Sequence, residues 1–257
     1  MTLNTATKST LSGDTPAAIA SDQGSAAATS SETASTFQIE PQDYSLDGYA
    51  ATLAAYKTAG YSVTSFAEYL ENPAAQHLIL RHDIDNSLEQ AMRVAHIDAE
   101  NGCSSTFFLR IHARGYNLLE LPSLLRIREL TQLGHEVQLH LEGGIHDWIG
   151  GSPLDSANQQ RRIFEEAVGR KLGGFSSHEP ARMGGIDFAN SLLTEWSDSV
   201  RYHAYEARFM SPNMKYLSDS SGRWREGHFG LWIGKEPLLQ VLTHPIWWYE
   251  RVPAENY

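Results

Sequence analysis

The sequence has a single cysteine, Cys103, among its 257 residues, and it lacks any long apolar run. One cysteine excludes intrachain disulfides and a thiolate metal cluster. A membrane-spanning helix needs about 20 consecutive apolar residues, and no run in this sequence approaches that length. The formal net charge is −11 and no cluster of Lys and Arg offsets it, which argues against nucleic acid as the main partner.

The first 36 residues lack the basic and leucine-rich parts of a secretory signal. They are dominated by Ala, Ser and Thr, a composition that predicts a disordered tail because it buries little apolar surface. One domain is expected to follow over residues 37–257, a length sufficient for one sizeable core. The expected location is cytoplasmic.

The chain contains an alternation of short apolar strands and helices of about a dozen residues. Such an alternation indicates βαβ units and a mostly parallel sheet, wound into an open sheet or a barrel. Residues 37–76 are predicted to be helical, with Gly60 between two helices. Further helices are predicted from Ser87 to Gly102 and at 118–133, 157–172 and 188–196. Strands are predicted at 77–83, 105–109, 136–140, 174–178, 199–202 and 239–243.

The most informative stretch is an apolar strand that ends in His82, Asp83, Ile84 and Asp85. In α/β folds, ligands and catalytic groups collect at the carboxyl ends of the strands. Two acids this close repel each other unless a cation or a shared proton lies between them. The stretch therefore predicts a divalent metal site, with one acid as a ligand and the other as a base.

Three other predicted strands end in a histidine, namely His140, His178 and His244. The carboxyl ends of parallel strands lie at one edge of a sheet, so these residues are expected to meet the two aspartates in one site. Asp and His side chains suit Zn²⁺, Mn²⁺, Fe²⁺, Co²⁺ or Ni²⁺. Three protein ligands would leave room for a water that the metal acidifies, which points to metal-assisted hydrolysis of an acyl group.

Candidate groups for holding a substrate lie in two later stretches. The polar stretch 218–227 contains Asp219, Trp224 and Arg225, and it is either a solvated loop or a loop that holds a ring-shaped ligand. Arginine binds anionic and hydroxyl groups, and tryptophan stacks on a sugar face. Trp247 either covers the rim of the core or lines the cleft. Arg182 is a candidate to orient an acid or to bind a carboxylate.

The order and spacing of these motifs resemble the polysaccharide deacetylase (NodB homology) superfamily from about Leu78 to Trp248. The resemblance rests on the His82-to-Asp85 motif, the strand at 105–108, the Gly134-to-His140 strand and the late Leu242-to-Pro245 motif. It implies a distorted (β/α) barrel with about seven parallel strands. It also implies a metal-dependent hydrolase that removes an acetyl-like acyl group from an amino sugar. The closing stretch is similar to a divergent subgroup linked with surface-polysaccharide biosynthesis.

The resemblance also implies residue roles. Asp83 resembles the general base, Asp85 the metal-binding aspartate and His140 the first metal-binding histidine. His244 resembles the histidine that protonates the leaving amine. The implied cofactor is one divalent metal, zinc first, with manganese, iron, cobalt and nickel as alternatives.

One position departs from the family's pattern. The second histidine of the family lies four residues after the first, and Gly144 occupies that place here. The third metal ligand must then be His178, Glu142 or His146. His178 is favoured because it closes a strand of the same sheet.

Two functions follow from these observations. The first is a carbohydrate N-deacylase that cleaves a non-peptide amide bond in an N-acylated amino sugar or glycan precursor. The second is a degenerate deacetylase fold that binds a glycan or a partner without catalysis, and Gly144 is its motivation. A phosphoesterase or lyase that uses the same ligands is a third reading.

Overall fold

The computed structural model describes residues 43–250, so the predicted tail at residues 1–36 lies outside the described part. The helices are α1 (Leu46–Thr58), α2 (Phe66–Glu71), α3 (Leu88–Glu100), α4 (Leu121–Gln132), α5 (His146–Ile149), α6 (Pro153–Val168) and α7 (Gly185–Glu195). The strands are β1 (Ser62–Thr64), β2 (His77–Ile84), β3 (Thr106–Leu109), β4 (Glu136–Glu142), β5 (Gly174–His178), β6 (Tyr202–His203), β7 (Lys215–Ser218) and β8 (Leu238–Thr243). Short 3₁₀ helices span Pro180–Met183, Phe229–Trp232 and Pro245–Trp247. Between residues 43 and 250, no helix has both the length and the apolar character that crossing a membrane requires.

All strand pairs of the sheet are parallel. Seven strands follow one another in the order β6-β5-β4-β3-β2-β8-β7, and β1 pairs with the first residues of β2. Within the described part of the chain, β6 and β7 do not pair, so the sheet curves into an open half-barrel. The predicted α/β architecture of about seven parallel strands is confirmed.

Strand β2 lies at the centre of the sheet, and all eight of its residues are buried. Strands β3 and β8 flank it, which explains its nearly continuous apolar start. Because successive side chains of a strand point to opposite faces, the residues of β2 divide into two sets. Leu78, Leu80 and Ile84 pack in the cores beneath the helices. Ile79 belongs to a separate aromatic core together with Phe108.

That aromatic core forms a floor inside the half-barrel. Phe66 from α2 stacks on Tyr202 with the ring centroids 4.8 Å apart, and Phe209 packs edge-on against Phe66 at the same distance. These large apolar side chains fill the interior below the carboxyl ends of the strands. Arg81, Asp83 and Asp85 follow above this floor, toward the carboxyl ends of the strands.

Two short strands depart from the prediction. Residues 62–64 were expected to be helical, but they form β1, because pairing with residues 77–79 of β2 overrides the local helical pattern. Strand β7 pairs with β8 and has no counterpart among the predicted strands. Other details are confirmed: the Ser87 hydroxyl accepts the backbone N–H of Gln90 at 3.2 Å and caps α3. Strand β5 has the predicted bounds.

Candidate active site

The inward-facing side chains of strand β2 change from apolar to charged toward the carboxyl end of the strand. Ile79 lies in the aromatic floor, Arg81 and Asp83 follow at two-residue intervals, and Asp85 comes just after the strand ends. Arg81 and Asp83 are at most 2% exposed, so they lie inside the fold, whereas the Asp85 side chain is 21% exposed. The two acids therefore stand at different depths, one buried and one at the mouth.

Arg81 holds the Asp83 carboxylate with two hydrogen bonds. Its Nη2 donates to Asp83 Oδ2 at 2.8 Å and its Nε donates to Oδ1 at 3.2 Å. The same guanidinium donates to Ser176 Oγ at 2.7 Å and to the Tyr205 hydroxyl at 3.1 Å. This fork fixes the orientation of the Asp83 carboxylate. Burial raises the pKa of Asp83, but Arg81 and His140 outweigh it and hold the pKa below its usual value.

Three histidines surround the Asp85 carboxylate. The Nε2 atoms of His140 and His178 lie 3.5 Å and 3.7 Å from Asp85 Oδ1. His244 Nε2 lies 3.9 Å from Asp85 Oδ2. Burial raises the pKa of Asp85, and the neighbouring histidines lower it by more, so the carboxylate is ionised. His140 Nε2 also lies 3.4 Å from Asp83 Oδ2, so the two aspartates and three histidines that strand-end reasoning selected are brought together.

The other ring nitrogen of each histidine is occupied by an acceptor. His140 Nδ1 lies 3.2 Å from the carbonyl oxygen of Ser176. His178 Nδ1 lies 3.0 Å from Glu142 Oε1, and His244 Nδ1 lies 2.7 Å from Asp219 Oδ1. Such acceptors fix the ring orientation and the tautomer. All three Nε2 atoms are therefore directed toward Asp85.

Asp219 is the partner of His244. Both of its oxygens accept the backbone N–H of His244 at 3.0 Å, and one also accepts the indole N–H of Trp248 at 3.0 Å. Burial lowers the pKa of His244, but Asp219, together with the two site aspartates, outweighs it and raises the pKa to about 9. A histidine with that pKa carries a proton at neutral pH and can donate it.

The residues present fit a divalent cation. Asp85 Oδ1 is a buried oxygen without a hydrogen-bond partner, although two imidazole nitrogens face it. A carboxylate and two histidines are a donor set typical of zinc and its neighbours. Between residues 43 and 250, three ligand-type atoms come within 4.8 Å of one another at Glu142, His178 and Glu179. The ligand atoms of Asp85, His140 and His178 do not all lie within 4.8 Å of one another. Binding one shared ion therefore requires the two imidazole rings to move closer together.

The alternatives to His178 as third ligand lie in other environments. His146 begins α5, and its Nε2 is 3.4 Å from Asp147 Oδ1. Glu142 binds the Nδ1 side of His178 and forms an ion pair with Arg110. Gly144 has a φ of +70°, a left-handed conformation that a histidine there would adopt only with strain. Of the three candidates, the structure therefore brings His178 to Asp85, and its role as a ligand stays a prediction.

Two of the residues predicted to bind substrate are buried in the fold. Trp224 is 3% exposed and packs against Phe229 and Trp248 in the core, so it offers no face to a sugar. Asp219 is fully buried and holds His244 instead of a substrate. Both placements correct the sequence-based assignment, which took the polar composition of the stretch as a sign of exposure.

The remaining three predicted substrate residues keep some exposed surface. Arg182 is 72% exposed and pairs with Glu179 at 2.7 Å. Arg225 is exposed, and Trp247 is half-buried, close to the backbone of Gly222. Their contact with a substrate stays a prediction.

Sequence reasoning missed two basic residues of the site. Arg81 precedes Asp83 by two positions in one strand, so the two-residue period of a strand would have placed both on one face. Arg110 follows β3, and its Nη1 lies 3.8 Å from Asp85 Oδ1. The partly exposed Tyr205 also reaches the site through Arg81, and its position in sequence gave no signal of this.

Comparison with known proteins gives distant structural matches. No family model matches the chain, and no curated protein matches it. Eleven chains of solved structures match. The Streptococcus pyogenes deacetylase PplD, in complex with acetate, is 18% identical over 56% of this chain and 67% of its own, with a TM-score of 0.43. IcaB from Ammonifex degensii is 14% identical over 61% of this chain and 74% of its own, with a TM-score of 0.47.

A third match is BA3943, a CE4 family pseudoenzyme from Bacillus anthracis. It is 14% identical over 68% of this chain, with a TM-score of 0.42. This chain spans 56% of the BA3943 chain, less than two thirds of its length. The matches also include the polysaccharide deacetylase Bc1974 from Bacillus cereus, which is 12% identical over 66% of this chain and 80% of its own, with a TM-score of 0.45. The sequence motifs resemble the same superfamily.

Proposed function

We propose that this chain is a metal-dependent hydrolase that removes an acyl group from an amino sugar. The observation that supports this most is the directed set of three Nε2 atoms around Asp85, beside an Asp83 carboxylate held by Arg81. The Asp83 carboxylate is ionised and Arg81 fixes its orientation, so it can accept a proton from a water that a bound metal has acidified. A histidine protonated at neutral pH is suited to donate one.

Asp85, His140 and His178 would hold the metal, with zinc as the first choice from the ligand types. When bound, such an ion lowers the pKa of a water and polarises the acyl carbonyl. Asp83 takes a proton from the attacking water while the water oxygen adds to the acyl carbon. His244 gives its proton to the amide nitrogen as the C–N bond breaks. Asp219 holds the His244 ring for this transfer through its hydrogen bond to Nδ1.

The substrate belongs to the class of N-acylated amino sugars or glycan precursors of surface-polysaccharide metabolism. This part of the proposal rests on the motif resemblance. If the chain is cytoplasmic, as its sequence suggests, a nucleotide sugar or a lipid-linked glycan is the expected form of the substrate. Arg182, Arg225 and Trp247 remain candidates to contact it.

The experiment compares Asp83→Asn with Asp187→Asn, an exposed aspartate on α7 that serves as a surface control, and urea unfolding of both variants separates lost chemistry from lost folding. Release of free amine is measured with the zinc-loaded full chain from N-acetylglucosamine pentasaccharide, a soluble stand-in for a glycan precursor, and from a nucleotide-linked N-acetylglucosamine. Asp83→Asn should lower kcat at least a hundred-fold, in line with the contribution of a general base. Asp187→Asn should match the wild type. Full activity of Asp83→Asn would rule out the mechanism.

A second candidate is a fold that binds a glycan without turnover. Two observations favour it: Gly144 stands where the family has its second histidine, and the Arg110 cation already faces Asp85 Oδ1 at 3.8 Å. In that case the purified chain would hold no zinc, and the pentasaccharide would bind without amine release. Zinc retained at one equivalent would contradict this reading.

A further inference from the structure

A buried polar cluster lies behind the site, on the face of β2 opposite Asp83. Its centre is Asp98 of α3, which is fully buried. The Asp98 carboxylate accepts hydrogen bonds from Tyr49 Oη at 2.6 Å and from Ser105 Oγ at 2.6 Å. His82 Nε2 lies 2.9 Å from its second oxygen. These contacts join α1, α3 and the start of β3 to the outer face of β2.

The cluster continues from β2 to β8. His82 Nδ1 lies 2.6 Å from Thr243 Oγ1, and both side chains are fully buried. His82 and Thr243 are also register partners, and they form the last rung of the β2–β8 ladder. The side-chain contact therefore closes the ladder at the point where backbone pairing stops.

The residues that follow this rung are Asp83 and His244. Since neighbouring residues of a strand face opposite sides, His82 points to the helices while Asp83 points into the site. His244 comes directly after β8, where no further β2–β8 rung restrains the chain. Movement of the last rung would thus be transmitted directly to both side chains.

Packing alone does not call for a charged group at this place. The other outward side chains of β2 are Leu78, Leu80 and Ile84, and all three are buried in apolar cores. A buried ionic cluster is often no more stabilising than apolar residues of similar volume. What the cluster adds is a directed set of hydrogen bonds, and directed bonds fix geometry.

We infer that Asp98, His82 and Thr243 are positioning residues, which set the spacing between the Asp83 base and the His244 acid. Asp98 fixes the His82 ring, and the ring fixes the hydroxyl of Thr243 at the final rung. This inference rests on the proposed function, because it assigns the cluster to the two groups that would exchange protons with the substrate.

The test uses Asp98→Asn and Thr243→Val, which remove the charge and the hydroxyl while keeping the side-chain shapes. Thr243→Ser keeps the hydroxyl and serves as the rescue. Thr52→Val is the matched control, because Thr52 is fully buried on α1 and bonds only the Gly48 carbonyl. The kinetic constants are measured on N-acetylglucosamine pentasaccharide, and unfolding of each variant is followed in urea.

Asp98→Asn and Thr243→Val should lower kcat roughly ten- to a hundred-fold with an unchanged KM, as expected for misplaced reacting groups. Thr243→Ser should recover most of kcat, and Thr52→Val should keep it despite a lower urea midpoint. A loss of stability in Asp98→Asn with kcat unchanged would overturn the inference, because the cluster would then be structural only.

A readout without turnover separates this inference from the proposed function. If the wild type releases no amine, the proposed function fails, and nitrogen-detected NMR of the histidine rings decides the positioning role. Asp98→Asn should then shift the ring signals of His244, which directly follows Thr243 at the end of β8, whereas Thr52→Val should leave them in place. Unshifted His244 signals in Asp98→Asn would refute the positioning role.

Discussion

Arg81 and Asp83 form the most deeply buried ion pair in the described part of the site, with side chains at most 3% exposed. The guanidinium also stacks on the ring of Tyr205, 4.6 Å from its centroid. Removing one partner of such a pair leaves an uncompensated charge in the interior, which costs far more than the loss of a surface pair. The pair is therefore a place where stability and chemistry depend on the same contact.

Arg81→Met is expected to lower the free energy of unfolding by about 3–5 kcal/mol, because it leaves the Asp83 carboxylate unpaired. The matched control is Arg93→Met, since Arg93 pairs with Glu89 at the surface. That control should cost less than about 1 kcal/mol. Urea unfolding measures both free energies. Equal losses of unfolding free energy in the two variants would show that Arg81 does not compensate the charge of the Asp83 carboxylate.

At this scale the sequence predicted the acids and histidines of the site better than their supports. Asp85, His140 and His178 were identifiable because strand ends in a parallel sheet share one edge. The burial of Trp224 and Asp219 could not be predicted from the sequence, because it depends on packing against Trp248 and Phe229 in the folded chain. The composition of a short stretch does not predict such tertiary contacts.

Strand β6 is the weakest element of the sheet, with two residues and one neighbour, β5. Its anchor is His203, a fully buried side chain whose Nε2 donates to Asn190 Oδ1 at 2.9 Å. The His203 Nδ1 accepts the backbone N–H of Tyr205 at 3.3 Å. This pattern requires a neutral ring, and burial, with a smaller effect of Arg208, lowers the pKa of His203 to about 4.

The stability of the chain should therefore fall in mild acid. Below an unfolded pKa of about 6.5, the unfolded chain binds a proton at His203 that the folded chain refuses until about pH 4. The contribution is complete above pH 6.5 and is lost as the pH falls through that window. With the pKa lowered from 6.5 to about 4, the full loss at this buried residue is about 3 kcal/mol.

The measurement is the urea midpoint between pH 7.5 and pH 4.5. His203→Asn keeps an acceptor in place of Nδ1 and should show a shallower loss than the wild type. Thr52→Val provides the control, because it removes no titratable group from a buried position, and it should leave the wild-type slope in place. Parallel curves for His203→Asn and the wild type would contradict the assigned neutral ring.

The elements themselves were predictable in proportion to their length. Strand β2 was identifiable from its apolar run, and helix α3 from its apolar face and from Ser87 at its start. Strands β1 and β7 have three and four residues, so tertiary pairing with β2 and β8 decides their conformation. The backbone hydrogen bond from Tyr249 to Tyr44 likewise joins two segments that are far apart in sequence and meet only in the folded chain.

The whole molecule places the two aspartates and three histidines of the site at one edge of an open parallel half-barrel, above an aromatic floor. That arrangement follows from strand direction alone, which explains why the sequence could predict the site's location. The spacing of the ligand atoms depends on ring rotations and could not be predicted. The net charge of −11 makes the chain acidic on average, so it attracts cations as a whole.

The most direct test of the central claim is amine release from N-acetylglucosamine pentasaccharide by the full chain, before and after removal of bound metal. The account predicts that a chelator abolishes the activity. Added zinc should then restore it in the wild type and not in Asp85→Asn, because this variant loses the carboxylate that faces His140 and His178. Amine release that persists after all metal has been removed would contradict the account.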